Sequence, residues 1–111
     1  MSLEIVTTYA NHLADAIKSK NFAPLIEAFA EKFEMKATLM GKTYEIFDKE
    51  KLTKFLGNMP GGLAVDINKI LSNDDGSYTA KTAMGMGFMK MPVKWNIKLD
   101  DLNKISFLEI K

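Results

Sequence analysis

Residues 17–39 carry the sequence IKSKNFAPLIEAFAEKFEMKATL, in which the spacing of the apolar residues changes once. Up to Phe33 the apolar positions recur every three to four residues, as on one face of a helix, and Pro24 lies where a first helical turn tolerates proline. Beyond Phe33 apolar and polar residues alternate, which is typical of a half-buried strand. The stretch predicts a helix over residues 22–32, with Asn21 as its N-cap, followed directly by a strand.

The segments on either side predict two further helices and a short strand. Residues 3–20 have the period of an amphipathic helix. Past the strand, Met40-Gly41-Lys42 is a candidate tight turn that leads into a short strand over 43–46. Asp48 is then a candidate N-cap for a third helix that ends near Leu56.

The rest of the chain predicts four more strands. They cover residues 63–72, 77–89, 92–100 and 104–110, with turns between them at 73–76 and 101–103. The predicted order is α-α-β-β-α-β-β-β-β, an α+β arrangement without a linker or an internal repeat. We therefore expect residues 1–111 to form a single domain.

The composition excludes several classes of function. The 111 residues include 15 Lys but no Arg, no Cys and one His, and the net charge is +1. Without Cys there is no disulfide and no thiolate nucleophile, and one His cannot build an imidazole-rich metal site. A chain without Arg at near-neutral charge is poorly suited to nucleic acid. Charged residues interrupt the first 30 positions, so we expect no signal peptide, no membrane partner and a cytoplasmic location.

The order of the elements, together with two short stretches, resembles the nuclear transport factor 2-like superfamily, which includes SnoaL-like polyketide cyclases and ketosteroid isomerases. Ile17–Phe33 is similar to the two helices that open these domains, with Asn21 in place of the Asp cap between them. Asp101–Ile110, DLNKISFLEI, is similar to their final hairpin. The resemblance implies a cystatin-like cone, in which three N-terminal helices pack in a strongly bent mixed or antiparallel sheet and leave an apolar pocket.

The resemblance also implies where an isomerase would hold its general base. In that group the base is an Asp on the first strand, and counting from the cap between the helices leads to Ala37 here. The family's oxyanion-hole Tyr falls at Leu13, with Tyr9 one helical turn earlier. Because Ala37 has no titratable group, binding is favoured over catalysis, although whether the chain is an enzyme stays open.

His12 is the one side chain with an ordinary pKa near neutrality, and it lies one helical step from Tyr9. Two interpretations follow. His12 and Tyr9 could act together at the mouth of the pocket, as general base and hydrogen-bond donor. Alternatively, His12 is a half-solvated residue packed beside the core.

Residues 84–91, MGMGFMKM, hold four of the eight methionines. Thioethers are soft ligands, so a copper(I) site is one interpretation. Three observations count against it: no His or Cys lies in this stretch, no export signal is expected, and an uninterrupted strand would place Met84 and Met86 on the face opposite Met89 and Met91. No metal is therefore predicted. The favoured interpretation is that the flexible methionines line an apolar pocket.

Together these features predict a domain that binds a small hydrophobic molecule and needs no cofactor. The alternatives are an isomerase-, cyclase- or dehydratase-type enzyme that uses His12 and Tyr9, and a structural or protein-interaction domain. The side chains predicted to line the pocket are Tyr9, His12, Leu13, Met35, Ala37, Met84, Met86 and Trp95.

The pattern of apolar residues in the last strand predicts a homodimer. Ile105 and Phe107 are expected on one face of this strand, and Leu108 and Ile110 on or near the other. A strand that is apolar on both faces needs a second layer of protein on its outer side. We therefore expect two copies to associate through the outer face of the sheet.

Overall fold

The computed structural model describes residues 2–39, 41–59, 63–86 and 88–111, and in these it has three helices and one sheet of six strands. The helices are α1 (Ser2–Ser19), α2 (Ala23–Ala28) and α3 (Lys49–Gly57), and the strands are β1 (Phe29–Leu39), β2 (Lys42–Ile46), β3 (Leu63–Ser72), β4 (Tyr78–Met86), β5 (Met89–Leu99) and β6 (Ile105–Ile110). The sheet order is β2-β1-β6-β5-β4-β3. The predicted α+β class and element order are confirmed.

The sheet is mixed because β1 and β6 run parallel, while its other neighbouring strands are antiparallel. Three of the strand pairs contain a shift in register: β1 with β6, β3 with β4, and β5 with β6. Such bulges bend a strand and increase its twist. The sheet has an inner face, which the helices cover, and an outer face.

The second helix is shorter than predicted. It ends at Ala28, and Phe29, Ala30 and Phe33, expected on the apolar side of the helix, lie in β1 instead. The cause is tertiary: Phe29 pairs with Ile105 of β6, and its ring lies 4.6 Å from that of Phe33. The predicted Asn21 cap is also wrong, because Phe22 is the N-cap and no side chain caps this helix.

The core lies between the inner face of the sheet and the helices. α1 packs against β3 and β4, and α2 contacts α1, α3 and β1. Alternate residues of the central strands are buried on this face, including Met35, Leu108 and Trp95. The period-two pattern of the sequence therefore assigned Met35 and Trp95 to the correct face, whereas it left the inner face of the last strand open.

Lys20 links two helix ends in a way that the sequence pattern did not predict. Its backbone has φ +60° just after α1, and its ammonium donates hydrogen bonds to the carbonyl oxygens of Leu56 at 3.0 Å and Met59 at 2.6 Å. A cation at the carboxyl end of a helix is favourable because the last carbonyl groups carry partial negative charge. Lys20 thus fixes the end of α3 against the end of α1.

Several predicted turns are present. Gly41, between β1 and β2, has φ +81°, and Gly76, between β3 and β4, has φ +88°, a region in which glycine carries no Cβ penalty. Met40 of the first turn lies outside the described residues, as do Pro60–Gly62 after α3.

The chain turns earlier than predicted between the fourth and fifth strands. The strand expected over 77–89 ends at Met86, and β5 already begins at Met89. β4 and β5 approach closely at this end: a Cβ atom on Gly85 would collide with the Met89 carbonyl oxygen and lie 2.7 Å from the Lys90 Cα. Glycine is therefore required there, while Gly87 lies outside the described residues.

The outer face of β6 is less apolar than predicted. The register shift beside Leu99 places Ile105 on the inner face with Leu108 and Ile110, so Phe107 is the remaining apolar side chain outside, with the Lys98 ammonium 5.5 Å from its ring centre. Dimerisation through the outer face stays a prediction.

Polar side chains also cross the outer face. Thr79 donates a hydrogen bond to Asn96 at 3.1 Å, and Asn96 donates to Glu109 at 3.2 Å. This row of side-chain hydrogen bonds links β4, β5 and β6 on the outer face.

Over the residues that the structure describes, none of the helices combines the length and the apolar content needed to cross a membrane.

The Asp48→Ala variant tests the predicted cap of α3. The Asp48 carboxylate accepts the Lys51 backbone N–H at 2.8 Å, and loss of such a cap costs about 1 kcal/mol. We expect urea denaturation to show that decrease in the free energy of unfolding, without a change in slope. The matched control is Asp74→Ala, which removes a carboxylate in the exposed β3–β4 turn and should leave the midpoint nearly unchanged. Equal losses in the two variants would contradict the capping role.

Candidate functional site

Tyr9 and His12 lie on one side of α1, facing the turn that joins β5 to β6. The Tyr9 hydroxyl donates a hydrogen bond to the carbonyl oxygen of Asn103 at 2.6 Å. Its pKa is raised, first because the phenol is partly buried and second because Asp100 is negatively charged. Tyr9 is therefore a neutral phenol whose proton is already used to fix the turn.

The turn itself is held by Asp100. Its carboxylate accepts the backbone N–H groups of Leu102 and Lys104, each at 2.9 Å, and Asn103 has φ +59°, a conformation that Asn tolerates better than most residues. The Lys104 ammonium donates to the Glu27 carbonyl oxygen of α2 at 3.0 Å. Asp100 and Lys104 are site residues that the sequence reasoning missed, although an Asp at the start of a turn is a recognisable Asx pattern.

The structure brings Tyr9 and His12 together around a shallow depression of ≈ 190 Å³, in which His12 is half-buried. The depression is open to solvent and lies beside a larger one of ≈ 630 Å³. Carboxylates and ammonium groups line the larger depression, namely Glu27, Glu31, Asp100, Lys32, Lys49 and Lys104. Phe29, Ala30 and Leu102 complete the lining, so this open surface combines charges of both signs with apolar side chains, unlike the deep apolar pocket expected from the sequence.

The other predicted lining residues are packed inside the core. Met35, Ala37 and Trp95 are 0% exposed, and Leu13 and Met84 are also buried. A side chain that bordered a void large enough for water would keep accessible surface there, so no such void touches the three fully buried residues. Met86, by contrast, is 54% exposed. The residues predicted to line one pocket therefore lie in three places: at the depression, in the core and at an exposed edge of the sheet.

Trp95 carries an unusual polar atom into this core. Its indole nitrogen is buried and has no hydrogen-bond partner, the one such side-chain atom among the described residues. A buried donor without an acceptor costs on the order of 1–3 kcal/mol. Trp95 pairs across the sheet with Ala80 on one side and Ile110 on the other, so it lies at the centre of the inner face.

The β4–β5 hairpin changes the expected arrangement of the methionines. Met84 pairs with Met91, and Met86 pairs with Met89. Cross-strand partners in an antiparallel pair lie on the same face, so the expectation of opposite faces is wrong. We call this group of four side chains the methionine face. Met86, Met89 and Met91 are exposed, whereas Met84 is buried where the group meets the core.

No group of three or more His, Asp or Glu side chains that could hold a metal ion occurs in the described ranges. Ala37 occupies its predicted place on the inner face of β1, paired with Tyr44 and Ile110. The position at which the sequence resemblance implied a general base is therefore apolar and closed to water.

A family model described as an NTF2-like domain matches residues 3–109. The chain belongs to the NTF2-like family. A search of the curated proteins found no match.

Solved structures of similar fold include an NTF2-like protein from Anabaena variabilis, with 12% identity and a TM-score of 0.78 over 99% of this chain and 87% of that one. A protein from Catenulispora acidiphila with a ketosteroid isomerase-like fold, in complex with trimethylamine, has 15% identity and a TM-score of 0.75 over 93% and 83%. Fremyella diplosiphon OCP1 has 20% identity and a TM-score of 0.73; the match covers all of this chain and 35% of OCP1. At these identities the likeness shows the NTF2-like fold.

Tyr9→Phe tests whether the phenol holds the β5–β6 turn. We expect a loss of about 1 kcal/mol in the free energy of unfolding at neutral pH, the usual contribution of one hydrogen bond. Because the pKa of Tyr9 is higher in the folded protein, the wild-type chain loses this stability as pH rises above the ordinary tyrosine value of about 10.

The difference between wild type and Tyr9→Phe should therefore shrink in alkaline solution, which denaturation at a series of pH values measures. The control is Tyr44→Phe, at an exposed tyrosine of β2. If the difference in the free energy of unfolding between wild type and Tyr9→Phe does not change with pH, the proposed role of Tyr9 is contradicted.

Proposed function

We propose that this NTF2-like domain binds a small hydrophobic molecule that carries a hydrogen-bond acceptor, held between the helices and the inner face of the sheet. The observation that carries the proposal is the unpaired indole N–H of Trp95. A ligand carbonyl or ether oxygen would accept this hydrogen bond and remove the cost of leaving the donor unpaired. Apolar burial supplies the affinity, and the indole supplies orientation.

Small residues on the inner face of the sheet and on the buried face of α1 support such a site. Ala80 is its neighbour on β4, and Ala37 lies two strands away on the same inner face. The buried face of α1 adds Ala10, Ala14 and Ala16. With small side chains on both layers, a modest outward movement of a helix opens space above the indole without large rotamer changes.

The way in which the helical layer is built limits the free energy needed to move a helix away from the sheet. α2 has six residues and no side-chain cap, and it is tied to the sheet through the bond from Lys104 to Glu27. Short helices owe most of their stability to packing rather than to their own hydrogen bonds. Movement of α2, with loss of the hydrogen bond from Lys104 to Glu27, is the route that we propose for entry of the ligand.

The Catenulispora acidiphila protein of similar fold is described in complex with a small molecule, trimethylamine. One fold hosts many functions, however, so the argument for this chain rests on its own residues.

A matched pair of ligands tests the role of the indole. Acetylnaphthalene and ethylnaphthalene are close in size, but only the ketone has an oxygen that can accept a hydrogen bond. We expect calorimetric titration of the wild-type protein to show about tenfold tighter binding of the ketone, the equivalent of one hydrogen bond. Trp95→Phe keeps an aromatic ring without the N–H and should bind the two ligands equally.

The control for that experiment is Tyr78→Phe, a half-buried aromatic residue of β4 at which only a hydroxyl is lost. It should keep the preference for the ketone. Native mass spectrometry of freshly purified protein, run beside it, should reveal a co-purifying apolar molecule. The proposal fails if the wild-type protein binds neither naphthalene and carries no molecule, or if it does not distinguish the ketone.

The second candidate function is catalysis by Tyr9 and His12. It is favoured because both side chains line the same depression, together with Lys104. Against it, the Tyr9 proton is donated to Asn103, and within the described residues no carboxylate orients the imidazole. Isomerase chemistry also needs a base where Ala37 stands.

An assay for isomerisation of an unsaturated ketosteroid distinguishes the two candidates. We expect no rate above buffer for the wild-type protein, and none for His12→Gln. A wild-type rate that His12→Gln abolishes while folding is retained would replace the binding function with an enzymatic one.

A further inference from the structure

Three side chains of the methionine face, Met86, Met89 and Met91, are exposed in a way that hydrophobic packing does not explain. Met89 and Met91 are 72% and 71% exposed, and Met86 is more than half exposed. Exposed positions of a hairpin ordinarily carry polar residues, and a thioether gains little stability when it faces water. Phe88, in the same hairpin, is also exposed, so the atoms that this apolar surface offers to a ligand are the thioether sulphurs.

We propose that the methionine face binds one soft monovalent metal ion, copper(I) or silver(I), through its thioether sulphurs. Thioethers select copper(I) over the harder divalent ions, which prefer oxygen and imidazole ligands. The proposal departs from the sequence-based expectation of no metal, and the register of the hairpin removes one of its three grounds, that the methionines would face opposite ways. It is independent of the hydrophobic ligand proposed for the interior.

The register of the hairpin brings the sulphurs within reach of a single ion. Cross-strand partners in such a pair have Cβ atoms about 5 Å apart, and next-but-one residues along a strand are about 7 Å apart. Met84, Met86, Met89 and Met91 stand at the corners of that rectangle. Each sulphur lies two bonds beyond its Cβ on a freely rotating chain, so three or four of them can converge above its centre.

The close approach of the two strands favours this convergence. Gly85 lies on the opposite face, paired with Lys90, and has room for no Cβ atom against the Met89 backbone. The absence of a side chain at this point lets the Met89 backbone lie against β4, so the pairing that sets the four methionines on one face continues up to the turn.

The charges around the cluster also suit a cation. Lys90 lies between Met89 and Met91 in the sequence but points to the other face, where its ammonium is bound by the Asp66 carboxylate. The pKa of Asp66 is lowered by that bond, so the carboxylate stays charged and holds the lysine. Apolar neighbours on β3, Leu63 opposite Met86 and Val65 opposite Met84, shield the ion from water on one side.

Silver(I) is the probe for the test because it mimics copper(I) without redox chemistry. The protein is labelled with ¹³C at its methionine methyl groups and titrated with silver nitrate in chloride-free buffer. We expect the methyl signals of Met84, Met86, Met89 and Met91 to shift together and to saturate at one ion per chain, while the signal of the fully buried Met35 stays in place.

Substitution of two methionines tests whether the thioethers bind the ion. Met86→Leu combined with Met89→Leu replaces two exposed thioethers by side chains of similar size, and should weaken silver binding about tenfold or more without changing the thermal midpoint. Met35→Leu is the matched control and should bind as the wild type does. If the double variant proves unfolded, the wild-type methyl titration alone decides the question.

Two results overturn the proposal. One is a titration in which His12 responds to silver and the four methyl groups do not. The other is a folded double variant that retains wild-type affinity. Neither result bears on ligand binding at Trp95, which is measured separately with the naphthalene pair.

Discussion

Parallel pairing between β1 and β6 joins the beginning of the sheet to the end of the chain, and the remaining architecture depends on its register. Met35 lies opposite Leu108 and Ala37 opposite Ile110, so both strands present their apolar residues to the helices. A shift of one residue would turn each of these side chains to the outer face. The same pairing draws Phe29 into the sheet and shortens α2. The pairing of β5 with β6 then places Trp95 beside Ile110 at the centre of the inner face.

That register links the core to the surface features of the domain. β6 begins just after the turn that Asp100 stabilises, and this turn receives the hydrogen bond from Tyr9 of α1. Lys104, the residue before β6, reaches Glu27 of α2. The helical layer is thus held to the sheet by a few polar contacts at one end, while apolar packing holds the remainder.

The sequence predicted what periodicity can determine, and it was wrong where tertiary contacts decide. The strand faces followed from alternation, so Met35, Ala37 and Trp95 were placed correctly on the inner face. The helix–strand boundary was wrong because Phe29 and Phe33 fit a helical stripe as well as a strand, and only pairing with β6 distinguishes the two. The hairpin at Met86 and Met89 was missed because two glycines within a methionine-rich run leave the turn position ambiguous, and that turn decides which way the methionines face. The candidate site was predicted less well, since the hydrogen bond from Tyr9 to Asn103 and the fully packed surroundings of Trp95 depend on residues far apart in the sequence.

The proposed binding function rests on an unpaired donor in a tightly packed core, the indole N–H of Trp95. Buried polar groups without a partner are rare in folded proteins, and replacing the indole by an apolar ring would remove the cost. Under the proposal, an acceptor on the ligand would pair with this donor.

Since Trp95 is the only tryptophan, its indole N–H gives a single signal in a proton–nitrogen NMR spectrum, and that signal tests the central claim most directly. In the free protein it should lie at the upfield end of the indole range and exchange slowly with deuterium, because the group is buried without an acceptor. Addition of acetylnaphthalene should move it downfield, whereas ethylnaphthalene should not. An indole N–H that is already downfield in the free protein, or that exchanges at once with solvent, would contradict the claim.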